Sequence, residues 1–219
     1  MKKLLFAIEF IFVLFFFVLP PIFSTPKSPS QINFTFSIQK LLPFIFSAAL
    51  FYWNKEIYSH QKQMRKQNSF ITLHGEILTH FGILLLISVI IQSVLFFSKK
   101  YSSETFGTNM NFQLNGTYFA EVFITLLTGS LYEEIIYRFY LPEKASILFP
   151  QKIKFLQEAV SVIFFALAHL YQGIFGVINA ALAGTVLRHL FIKTGSIVIV
   201  WGVHFVWNAG IFLLTLLIQ

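Results

Sequence analysis

Long apolar runs separated by short polar stretches organise this 219-residue chain. MKKLLFAIEFIFVLFFFVLP starts with two lysines and continues as an apolar run, which predicts a first membrane helix ended by Pro20 and Pro21. A secretory signal peptide has the same outline, but Glu9 interrupts the run and no A-x-A cleavage site follows, so an uncleaved helix is expected. A Ser/Pro-rich loop to Gln31 leads to a second run, about 36–53, and then to the basic, water-exposed stretch NKEIYSHQKQMRKQNS. A third run, about 77–97, is closed by Lys99 and Lys100, and a polar loop continues to Asn115. A fourth run reaches Leu141 just before Pro142, and a fifth starts near Ser161. A short sixth, about 177–191, is loosened by Gly173, Gly176 and Gly184, and a seventh covers about 196–218. The pattern predicts an all-α, polytopic transmembrane bundle of about seven spans, within a range of six to eight.

Composition agrees with that reading. The chain is 56% hydrophobic and 11% charged, with 29 Phe and a mean hydropathy of +0.73. A soluble domain is about a quarter charged, so there is too little polar surface here to cover a globule. With no Cys, disulfides and thiolate metal sites are excluded. The net charge of +7 is read as a basic cytoplasmic face, not as a nucleic-acid surface. With seven spans and the N-terminus inside, Lys2, Lys3, Lys55, Lys62, Arg65, Lys66, Arg138, Lys144, Lys152, Lys154, Arg188 and Lys193 fall on the inner side. Only Lys27, Lys40, Lys99 and Lys100 fall outside, which predicts a cytoplasmic N-terminus. The basic stretch Lys144–Lys154 reads as an interfacial amphipathic segment. The sequons at Asn33 and Asn115 carry no weight without a secretory context.

Candidate chemistry sits in GSLYEEIIYRFYL, where Glu133, Glu134 and Arg138 interrupt an apolar run. All nine acidic residues of the chain are Glu, and these two lie where burying charge is most costly. Glu134 and Arg138 have i, i+4 spacing, which predicts an ion pair with the arginine snorkelling to the interface. Glu133 is rotated by about 100° from Glu134 and is left for another role, unless both carboxylates are structural glue. FFALAHLYQG places Phe165 and His169 four apart on one helix face, and WGVHFVWNAG does the same for His204 and Asn208. Taken singly, each His is an ordinary interhelical hydrogen-bonding residue. On the expected span ends, Glu133, His169 and His204 share one depth, in the cytoplasmic half of the bundle. Together with Asn208 they supply a base, donors and an oxyanion stabiliser. Glu9 lies deep in the first run with no partner to name. His60 and His74 read as solvated, and His80, Glu121 and His189 as residues near span ends.

EExxxR, FxxxH and HxxxN occur in this order, and together they resemble the signature of the CAAX-processing and bacteriocin-processing (CPBP, or Abi) family of intramembrane proteases. The flanking text ALAHLYQGIFGVINAALAG and KTGSIVIVWGVHFVWN is similar to the family's surroundings. The resemblance covers residues 118–219 as a catalytic bundle and leaves 1–117 as membrane helices without a distinctive motif. It implies that Glu133 is the general base that activates water, with His169 hydrogen-bonded to that water. It makes His204 and Asn208 stabilisers of the oxyanion, with Glu134, Arg138 and Phe165 in support. The expected activity is hydrolysis of a peptide bond in a membrane-associated peptide or protein, inside a lipid bilayer and with no nucleic acid. A bacterial cytoplasmic membrane is the expected setting. No metal is the leading expectation, with zinc held by Glu133, His169 and His204 as the alternative. Two other readings are a non-catalytic scaffold or immunity protein of the same fold, and a proton-coupled transporter using Glu133. Nothing in the sequence marks a prenyl-binding groove.

Overall fold

The computed structural model describes residues 2–23, 38–56, 70–101, 116–149 and 154–217. Most of the expected loop to Gln31, of the basic stretch 54–69 and of the polar loop to Asn115 lies outside the described residues, together with Asn33, His60, Lys152 and Ile218. The described residues form seven helical elements and no strand. α1 runs over 2–22 as an α-helix, Lys2–Val13, a wider π turn, Leu14–Val18, and a final α turn, Leu19–Ile22. α2 is Ile38–Trp53 and α3 is Phe70–Tyr101. α4, over 116–148, has the same three parts as α1: Gly116–Glu133, a π turn Glu134–Tyr140, and Leu141–Leu148. α5 is Lys154–Leu167, α6 is Gly173–Thr194 and α7 is Ile197–Leu217.

Among the described residues, four stretches are long and apolar enough to cross a membrane: Leu4–Ile22, Thr72–Leu95, Leu170–Thr194 and Ile197–Leu214. The molecule is a multi-pass, all-helical membrane bundle. Its outer surface is apolar at Leu4, Ile8, Phe15 and Phe16 of α1, at Leu78 and Leu86 of α3, and at Val198 and Val206 of α7. α4 packs against α1, α2, α5 and α7, and α6 packs against α3, α5 and α7. Ile135, Ile136, Phe139, Leu187, Val200 and Val203 fill the space between them.

Both α1 and α4 accommodate proline within a helical turn, for a physical reason that appears twice. Proline has no N–H, so the carbonyl one turn earlier loses its backbone donor, and the ring also needs room. In α1 and α4 a π turn precedes the proline and widens the helix. The carbonyls left without a donor are served by side chains of neighbouring helices. Tyr132 of α4 donates to the Phe17 carbonyl at 2.8 Å, four residues before Pro21. Ser161 of α5 donates to the Tyr137 carbonyl, and Arg188 of α6 to the Arg138 carbonyl at 2.5 Å, five and four residues before Pro142. The expected stop at Leu141 is therefore overturned, since α4 continues to Leu148, whereas α1 ends at Ile22, one residue after Pro21, beside the expected end at Pro20 and Pro21.

Other expectations also change. α6 is a full 22-residue helix, not a short one, and the break falls before it, in the 3-10 turn Leu170–Gln172. Gly173 follows that turn at φ +79°, a conformation that a side chain would resist. α3 begins earlier than its apolar core and takes in His74 and His80. His80 is buried, with Nε2 2.8 Å from His189 Nδ1, so this pair joins α3 to α6 and is not end decoration. Asn54, expected in a water-exposed stretch, is buried. Lys144, expected in an interfacial segment, is 1% exposed and lies 2.9 Å from Glu9 Oε2. Asn54 Nδ2 donates to Glu9 Oε1 at 3.2 Å, so Glu9 has partners both on α4 and just beyond α2.

Candidate active site

The middle of α4 brings the carboxylates to the bundle centre. The π turn starts at Glu134, and all seven of its residues are buried. Glu134 and Arg138 pair as their spacing predicts, Oε2 to Nε at 3.3 Å. The expected snorkelling does not occur. Arg138 is 1% exposed, because α5 closes over it and the Phe165 ring covers its guanidinium at 3.8 Å. A cation enclosed in this way depends on its carboxylate and on the aromatic face. Glu133, one residue earlier, points elsewhere, and its side chain keeps 27% of its exposure.

His204 of α7 lies between the two carboxylates. Its Nδ1 is 2.6 Å from Glu134 Oε1, and its Nε2 is 3.7 Å from Glu133 Oε2. With Glu134 as a carboxylate paired with Arg138, the Nδ1–H of His204 donates at this contact and Nε2 faces Glu133. A chain of contacts thus runs from Phe165 over Arg138 to Glu134 and on to His204.

His169 does not sit inside a helix as expected. α5 ends at Leu167, and His169 occupies the turn that follows, where its own N–H bonds to the Ala166 carbonyl at 3.0 Å. The FxxxH pairing survives the break. His169 Nδ1 donates to the Phe165 carbonyl at 2.8 Å, and the two rings meet edge to face at 4.6 Å. With Nδ1 committed to a carbonyl, the neutral ring presents Nε2 as an acceptor. Phe165 is therefore more than bulk, since it covers Arg138, holds His169 and rests on Gly184. A Cβ at Gly184 would come within 2.9 Å of the Phe165 ring, so α5 and α6 meet there on a bare backbone.

Glu133, His169, His204, Asn208 and Phe165 line one cavity of about 450 Å³. The sequence reading missed several of its walls: Ser88 and Gln92 of α3, Tyr171 and Gln172 of the turn, and Asn179 of α6. Lone amides in the apolar text IIQSV and GVINAAL were the available signal. Trp207 also lines the cavity, its indole N–H donating to Ser88 Oγ at 2.8 Å. A second cleft of about 370 Å³ is apolar and lies between α4 and α7, and it shares Leu126 and Phe212 with the first. Among the described residues, no group of three His, Asp or Glu is placed to hold a metal ion. Glu133, His169 and His204 share the cavity wall without forming such a group.

Residues 115–210 match the family model described as Rce1-like, type II CAAX prenyl endopeptidase Rce1-like. No curated protein and no solved structure matches the chain. The matched stretch contains all three motifs, and over it the chain is similar to the CAAX-processing intramembrane proteases.

Proposed function

We propose that this protein is an intramembrane endopeptidase that cleaves a membrane-associated peptide or protein with water activated by Glu133. One observation carries the reading. Four motif residues from α4, the turn after α5, and α7 face a single cavity large enough for a peptide segment and a water molecule. Glu133 takes a proton from water while His169 Nε2 accepts the other hydrogen and orients the attack. The oxygen adds to the scissile carbonyl carbon, and the C=O electron pair moves to oxygen. Doubly protonated, with its Nδ1–H held by Glu134, His204 donates from Nε2 to this oxyanion, and the Asn208 amide donates beside it. On collapse the C–N bond breaks, and Glu133 returns its proton to the departing amine. Glu134, Arg138 and Phe165 act by holding His204 and His169 in place. The chain's own residues carry every step of this scheme.

The family description names a prenylated CAAX substrate, and the apolar cleft beside the cavity supports a lipid-modified tail for this chain. The test is cleavage of prenylated and unmodified membrane peptides by detergent-purified protein, compared with Glu133→Gln, each with and without a zinc chelator. Turnover lost in Glu133→Gln and unaffected by the chelator is expected. Turnover that persists in Glu133→Gln would remove the base assignment, and chelator-sensitive turnover would bring a metal into the site.

A further inference from the structure

We propose that Asn179 is a substrate-binding residue whose side-chain oxygen accepts a backbone N–H of the peptide held for cleavage. The inference rests on the cavity's being a protease site, and it assigns a contact on the wall formed by α6. Asn179 lines the same cavity as Glu133 and His204. Its Oδ1 is fully buried, and no donor among the described residues reaches it. Neighbouring cavity groups already hold partners: Ser88 Oγ bonds to Leu84 and Trp207, His169 Nδ1 to Phe165, and His204 Nδ1 to Glu134. Ala180 and Ala183, on the same wall, are small and leave the backbone side of the cavity open.

An amide oxygen without a partner is costly in a water-poor interior, and in a membrane protein such a group is tolerated where it serves a cavity. A peptide entering this cavity has the complementary problem, because each backbone N–H drawn from water needs an acceptor. Asn179 Oδ1 is neutral, so it can accept an N–H without adding a third negative charge beside Glu133 and Glu134. Substrate binding satisfies both groups at once, and the resulting register places the scissile bond.

The experiment compares a peptide that the full-length protein cleaves with analogues in which one backbone amide at a time is replaced by an ester. In the wild type, one ester position is expected to raise KM about three- to tenfold, the size of one lost hydrogen bond, with kcat changed less than about twofold. Asn179→Leu should raise KM for the parent peptide by the same factor and abolish the penalty at that position. Equal ester penalties in both proteins, or an unchanged KM in Asn179→Leu, would overturn the proposal. The ester series in wild type needs no variant to fold, so a misfolded Asn179→Leu does not blunt the test. If Glu133→Gln still turns over, the base assignment fails while the KM comparison continues to judge Asn179. If no protein turns over, fluorescence anisotropy of labelled peptide decides, and equal affinity for wild type and Asn179→Leu overturns the assignment.

Discussion

Glu134 and Glu133 are neighbours in sequence with different surroundings, and the difference separates their roles. Glu134 is sealed between Arg138 and His204, while Glu133 faces the cavity. Glu134→Gln keeps the shape but removes the charge that both Arg138 and His204 Nδ1 face. If Glu134 acts by orienting His204, kcat should fall by about 10²-fold with KM near the wild-type value, because a small displacement of an aligned group costs about that much. Steady-state kinetics on the cleaved peptide checks this, and a rise in KM at unchanged kcat would place Glu134 in substrate binding. Arg138 and Glu134 were legible as a pair because i, i+4 neighbours meet on any helix. Phe165 was legible only as a motif letter. Its cover over Arg138 depends on α5 crossing α4 at that residue.

At the scale of the element, the two π turns are the main departure from what the apolar runs predict. Each lets a helix pass through proline, and each depends on side chains from other helices. Ser161→Ala should therefore destabilise the bundle by about 1–3 kcal/mol, the cost of leaving the buried Tyr137 carbonyl without a donor. Unfolding in detergent measured against denaturant reads this directly, and a change below a few tenths would mean that water replaces the hydroxyl. Arg188 contributes at the same place, bonding to the Arg138 carbonyl while Glu158 holds its other nitrogens at 2.5 and 2.8 Å. Proline punctuation was read from local chemistry, where it stops a helix. The rescuing donors lie 24 and 50 residues away in sequence and are invisible to a local reading.

For the whole molecule, Glu9 ties the N-terminal helix to the end of α4. The apolar packing between membrane helices has no hydrophobic drive behind it, so such a polar tie matters more than its area. Glu9→Leu leaves Lys144, 1% exposed, without its carboxylate, and should cost about 3–5 kcal/mol. Lys144→Met in the same chain should return most of that loss, since an apolar pair of similar volume carries no desolvation cost. A double-mutant cycle on unfolding free energies measures the recovery, and additive losses would show that the two residues act separately.

The chain by itself determined the helical membrane bundle and the three motifs. Each of these is written in local terms: apolar run length, i, i+4 spacing and residue chemistry. Only the tertiary structure decided which polar groups meet. It placed Glu9 against Lys144, His80 against His189, Arg188 against Glu158, and His204 between Glu133 and Glu134. It also put His169 in a turn and carried α4 past Pro142. A buried charge or a freed carbonyl must find a partner, but the sequence states only the need. Which distant residue meets that need is set by how the helices cross.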